Sequence, residues 1–179
     1  DDAAAQEHIG GIGIEEVYNL MGRMDVQMCT SGKSIGSFGA FVLADDIIIE
    51  YLINRARTFM YTTALPASAL AASLTALKLI PRDTSYKEEL WSAIDYMRTN
   101  LIRMGFDLKR SEGPIIPIVV GEDATALMIQ NMLMKKGVFL QAIRPPTVPS
   151  GTSRLRLNVI RVFTRAEMDQ ALDGLLHAA

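Results

Sequence analysis

Apolar residues at Leu90, Trp91, Ile94, Met97 and Leu101 recur at three- and four-residue steps, the signature of one helix face turned toward a core. Ser85 and Glu88 stand at capping-box spacing where that helix opens, and Gly105 ends it just after Met104. From Pro114 onward the pattern alternates. A strand at 115–120 precedes a helix at 124–136, and a strand at 138–142 leads into a loop. A strand at 154–160 and a helix at 166–176 follow, with Thr164 and Glu167 again at capping-box spacing. Upstream, a short apolar stretch at 25–30 runs into a loop punctuated by Gly32, Gly36 and Gly39, and 40–44 reads as a buried strand. Asp45 or Asp46 can cap a helix through about Arg57, because Ile47, Ile48, Tyr51, Leu52 and Ala56 keep helical spacing. The stretch 58–63 is rich in β-branched and aromatic residues and predicts a strand or extended turn. Pro66 suits the first turn of an Ala/Leu-rich helix that runs to Ile80 and stops at Pro81. Strands alternating with helices predict α/β layers, with a domain boundary within 80–110.

Composition narrows the class. At 179 residues, 49% hydrophobic and 21% charged, the chain is globular and long enough for one domain or two small ones. A formal charge of -2 supplies no basic field to recruit nucleic acid or an acidic membrane. Cys29 is the single cysteine, and His8 and His177 stand at opposite ends, so neither a disulfide nor a metal site is expected. The apolar runs 40–53 and 64–80 are broken by Asp45, Asp46, Glu50, Pro66 and Lys78, and no membrane span is expected. No leader pattern opens the chain, which begins on Asp1-Asp2 without methionine. It reads as a fragment or processed product of a soluble, cytoplasmic protein.

The chemistry concentrates in Thr30-Ser31-Gly32-Lys33-Ser34. Gly-Lys-Ser also closes the Walker A phosphate loop, but that motif needs a glycine five positions before Gly32, and position 27 is Gln27. Two readings remain from the residues alone. One is a surface turn with a solvated lysine. The other is a lysine that forms a Schiff base: Thr30 and Ser31 offer hydroxyls to a phosphate, Gly36 and Gly39 keep the backbone unobstructed, and apolar flanks favour the neutral, nucleophilic amine.

The segment from Asp25-Val26 through Thr30-Ser31-Gly32-Lys33-Ser34-Ile35-Gly36-Ser37-Phe38-Gly39 resembles the lysine segment of the α-oxoamine synthases, the fold-type I pyridoxal phosphate acyltransferases. The resemblance continues through 52–66, through Gly113-Pro114-Ile115-Ile116-Pro117, and through Ile143-Arg144-Pro145-Pro146-Thr147-Val148-Pro149 to Arg154-Leu155-Arg156-Leu157. It covers nearly the whole chain but only the C-terminal half of a family member. The Ile-Arg-Pro-Pro-Thr-Val-Pro form is most similar to members that join L-alanine to a pimeloyl thioester.

The resemblance implies an α/β fold. Residues 1–80 would be the end of a large, mainly parallel-sheet cofactor domain, 81–110 a connecting helix region, and 111–179 a small C-terminal α/β domain. It implies that Lys33 carries pyridoxal 5'-phosphate and then acts as a base, and that Thr30 bonds the cofactor phosphate. Thr63 would do so for the neighbouring subunit of a homodimer with shared sites, and Asp1 would hold the pyridinium nitrogen protonated. Arg156 is the first candidate for the amino-acid carboxylate, Arg154 and Arg144 are secondary, and Thr147 is a candidate contact for the acyl thioester. Without the family, the Arg154-Leu155-Arg156-Leu157 alternation reads as a strand with a solvated face. One departure stands out: Ala4 falls where the family has a cofactor-contacting histidine, with His8 four residues on. The family's N-terminal half, which supplies further cofactor and thioester contacts, is expected to be needed for activity.

Overall fold

The computed structural model describes residues 18–20, 22–80 and 85–177. Its contacts separate two compact units, one ending at Thr84 and the other running Ser85–Ala179.

In the first unit, β1 (Val26–Thr30) and β2 (Ala40–Ala44) pair antiparallel, from Val26 opposite Ala44 to Thr30 opposite Ala40. Helix α1 (Asp46–Arg55) follows; Asp45 occupies its N-cap in extended geometry but makes no side-chain capping bond. The helix predicted through Arg57 breaks at Ala56, whose ψ of 97° is extended, and a single turn, α2 (Arg57–Met60), restarts it. The strand expected at 58–63 is therefore absent. The Phe59 and Met60 amides donate to the Ala56 carbonyl at 2.9 and 3.0 Å, so this backbone is satisfied locally and the β-forming side chains do not decide its conformation. Helix α3 (Ala67–Leu79) follows Pro66, whose carbonyl accepts from the Ala69 and Leu70 amides.

The second unit is a two-layer α/β structure. Helix α4 (Ser85–Arg103) precedes β3 (Ile115–Gly121), α5 (Asp123–Lys135), β4 (Gln141–Ile143), β5 (Ser153–Asn158) and α6 (Arg165–Leu176). The sheet order is β3-β5-β4, antiparallel throughout, with β5 central. Ile94, Met97 and Leu101 of the predicted stripe are fully or almost fully buried, against Ile116 and Ile118 of β3, Leu133 of α5, Leu155 of β5 and Leu175 of α6. Each such side chain contributes roughly 1.5–3 kcal/mol through removal from water. Strand β4 starts later than the 138 expected. The Val138 amide is spent on the Leu133 carbonyl at 2.9 Å, closing α5, so pairing begins only at Gln141. At α6 the predicted capping box forms: the Glu167 amide donates to Thr164 Oγ1 at 3.2 Å and the Thr164 amide to Glu167 Oε2 at 2.7 Å. Among the described residues, no helix is long and apolar enough to cross a membrane.

Candidate active site

The predicted site residues fall in both units. In the first, Thr30 ends β1, and Lys33 lies in the loop between the two ribbon strands. Backbone bonds hold that loop at several points. The Ser31 amide donates to the Gly39 carbonyl at 2.9 Å, the Ser37 amide to the Ser31 carbonyl at 2.8 Å, and the Gly36 amide to the Lys33 carbonyl at 3.0 Å. Ser37 Oγ then donates to the Ala69 carbonyl at 2.7 Å, tying the loop to the first turn of α3. Gly39 has a φ of +99°, and a Cβ there would meet Leu65 Cδ1 at 2.5 Å, so a side chain at this position is opposed by conformation and by contact. The Leu65 contact also brings the 61–66 segment, with Thr63 exposed in it, against the ribbon.

Ser31 is buried, whereas Thr30, Gly32 and Lys33 are exposed. No hydrogen bond or ion pair occupies the Lys33 amine among the described residues. The loop thus fixes the lysine's backbone and leaves its amine free. Ser31 and Ser37, which clamp that loop, were not singled out from the sequence as clamps; a backbone bond carries no side-chain signal, and Ser37 finds its acceptor only once α3 is placed. Cys29, one residue before Thr30, is half-buried and forms no disulfide. Asp1, Ala4 and His8 lie outside the described residues.

In the second unit, alternation along β5 buries Ser153, Leu155 and Leu157 toward the helices and turns Arg154 and Arg156 to the opposite face. The two arginines are held differently. Arg154 donates through Nε to the Thr152 carbonyl at 3.0 Å and through NH2 to Thr152 Oγ1 at 3.1 Å. Its charge also acts on Asp107. That carboxyl is held below its ordinary range chiefly by the side-chain and backbone hydrogen bonds from Lys109, and Arg154 adds to the effect. Arg156, exposed, makes one bond, from NH2 to Gln141 Oε1 at 3.0 Å. Gln141 is its direct neighbour across the β4–β5 ladder. Arg144 follows β4 directly and is exposed; its carbonyl accepts from the Thr147 amide at 3.0 Å, closing the turn that presents Thr147. The Pro145–Pro146 peptide bond within this turn is cis. The sequence pointed to the arginines but not to Thr152 or Gln141, because only the strand register says which side chain stands beside which.

The chain's relatives bear on this arrangement. The family model for aminotransferase class I and II matches residues 2–175. An 8-amino-7-oxononanoate synthase of Anaeromyxobacter dehalogenans is 42% identical over 166 residues, covering 93% of this chain and 42% of that protein. Among solved structures, a serine palmitoyltransferase with its pyridoxal phosphate internal aldimine superposes with a TM-score of 0.88 at 27% identity, covering 94% of this chain and 43% of the other. The 8-amino-7-oxononanoate synthase of Francisella tularensis, at 24% identity and a TM-score of 0.80, shares the fold over 94% of this chain and 50% of its own. The chain spans less than half the length of the curated relative.

Proposed function

This chain belongs to the aminotransferase class I and II family and has the α/β fold of the C-terminal part of its pyridoxal phosphate enzymes, and from that premise we propose that it supplies one part of an acyltransferase active site. The reaction is the decarboxylative condensation of an amino acid with an acyl thioester. The substrates are L-alanine and a pimeloyl thioester, and the product is 8-amino-7-oxononanoate, in biotin biosynthesis. The observation that carries this reading is Lys33: an exposed amine without an ion-pair partner among the described residues, on a loop clamped on both sides. The 42% identity to an 8-amino-7-oxononanoate synthase supports the choice of substrates.

The residues fit pyridoxal phosphate. Lys33 offers a primary amine to its aldehyde, and Thr30 an exposed hydroxyl to its phosphate. At Gly32 an added Cβ would meet only the Ser37 carbonyl, at 3.8 Å, so the path beside the lysine is open. When bound, the cofactor supplies an electron sink for the negative charge left at the amino-acid Cα. Lys33 takes up and returns protons at that carbon once its amine is released. In this reading Asp1 would pair with the cofactor's ring nitrogen, and Thr63 would reach the phosphate held by the other subunit of a homodimer. Arg156 receives the amino-acid carboxylate; Arg154 and Arg144 contribute positive potential around it, and Thr147 meets the acyl chain. In the same reading, residues 1–80 close the cofactor domain, 81–110 connect, and 111–179 form the small domain of a cytoplasmic enzyme completed by the family's N-terminal half.

Similarity to serine palmitoyltransferase supports a second reading, a sister synthase acting on another amino acid. One experiment addresses both. In the holoenzyme, borohydride reduction should fix the cofactor on Lys33, and Lys33→Ala should abolish the protein-bound cofactor absorption. Retained absorption and turnover in that variant would sink the assignment. Product analysis with alanine, glycine and serine then identifies the substrate.

A further inference from the structure

The geometry points to Gln141 as a positioning residue that holds Arg156 in register for a substrate carboxylate without consuming its charge. This rests on the reading of Arg156 given above and adds a residue to which that reading assigns no part. The two β5 arginines share a face and differ in what they have left to offer. Arg154 spends two of its nitrogens on Thr152, two residues back along the chain, so its guanidinium is an anchored part of the sheet. Arg156 spends only NH2, on the side-chain oxygen of Gln141 at 3.0 Å, and its Nε and NH1 make no hydrogen bond among the described residues.

The partner's chemistry matters here. A carboxylate at position 141 would form a salt bridge with Arg156, neutralising it and repelling an incoming carboxylate. A neutral amide orients one edge of the fork and leaves the full positive charge for the ligand. Gln141 can do this because it faces Arg156 directly across the ladder, and because β4, at the sheet edge, begins at this residue. Its side chain lies exposed on the surface of the second unit. The cleft of about 450 Å³ lined by Glu89, Tyr96, Arg161 and Arg165 offers no comparable group, because Arg161 pairs with Glu89, and Arg165 stacks on Tyr96 and pairs with Asp169.

The test is steady-state kinetics of the holoenzyme with variants at both positions. Gln141→Ala should raise KM for the amino acid about three- to tenfold, the worth of one hydrogen bond, with kcat and KM for the thioester nearly unchanged. Gln141→Glu should raise it further, because its carboxylate pairs with Arg156 and repels the incoming one. Arg156→Ala should raise it most, and adding Gln141→Ala to Arg156→Ala should have no further effect. If Gln141→Ala and Gln141→Glu leave KM unchanged or change it equally while Arg156→Ala raises it, the role of Gln141 is overturned and the Arg156 reading stands. If Arg156→Ala itself leaves KM unchanged, the carboxylate site lies elsewhere and both fall.

Discussion

In the unit Ser85–Ala179, the buried side chains are mostly leucines, isoleucines, alanines and methionines drawn from three helices and the sheet, among them Ile94, Ile118, Leu133, Leu155 and Leu175, with Ser153 the buried polar one among the described residues. In the unit that carries Lys33, the described buried residues are two serines, Ser31 and Ser73. Many of its apolar side chains are exposed: Met28 and Leu43 on the ribbon, Ile47 and Tyr51 on α1, Leu70 and Leu74 on α3. The difference separates two ways of holding a site. The arginine-bearing sheet rests on a core of its own. The lysine loop is shaped by backbone bonds on a ribbon that leaves apolar side chains such as Met28 and Leu43 exposed, and burying them is a source of stability beyond what the described residues supply.

The comparison breaks most directly if the units are expressed apart. Residues 85–179 should unfold in a single cooperative transition by circular dichroism in urea, and residues 1–84 should show none; a cooperative 1–84 would mean its apolar faces are closed. Single truncations sharpen the same contrast. Leu133→Ala should cost about 2–5 kcal/mol of stability in the 85–179 unit. In this chain, Leu74→Ala on the exposed face of α3 should stay within about 0.5 kcal/mol. Equal costs in denaturant titration would remove the distinction.

Gly39→Ala tests whether the ribbon depends on backbone conformation instead. The positive φ and the contact with Leu65 should together cost roughly 1–3 kcal/mol, read as lost cofactor loading at Lys33, and shortening Leu65 should recover part of it. Helix caps give a smaller contrast. Thr164→Ala should cost about 1 kcal/mol because its side chain makes the capping bond, whereas Asp45→Ala, which loses none, should stay within about 0.5 kcal/mol. The smallest effect is in pH. Thr164 holds the Glu167 carboxyl below its ordinary range through backbone and side-chain hydrogen bonds. Glu167 therefore stabilises the fold above the unfolded glutamate's value and ceases to do so as the pH falls through the lower, folded one. Thr164→Ala, which removes the side-chain bond and keeps the backbone one, should flatten part of that acid-side loss in urea midpoints measured from neutral pH downward, and Glu167→Gln should abolish it.

Local chemistry was sufficient for many elements. The stripe on α4, the Thr164–Glu167 box, the alternation along β5 and the lysine loop with its glycines could all be read from the sequence, since each depends on spacing within a few residues. Spacing also excluded a phosphate loop, through Gln27, and the motifs reaching out to Arg156 pointed to the family. Tertiary structure decided the rest. Beyond Ala56, where propensity favoured a strand, the folded chain instead closed a single helical turn onto the Ala56 and Arg57 carbonyls. It also delayed β4 to Gln141, and by that register set Gln141 beside Arg156 and left Arg154 to Thr152. A chain's own spacing determines which way a side chain faces; which neighbour it meets there depends on a strand distant in sequence, and that pairing appears only when the sheet is assembled.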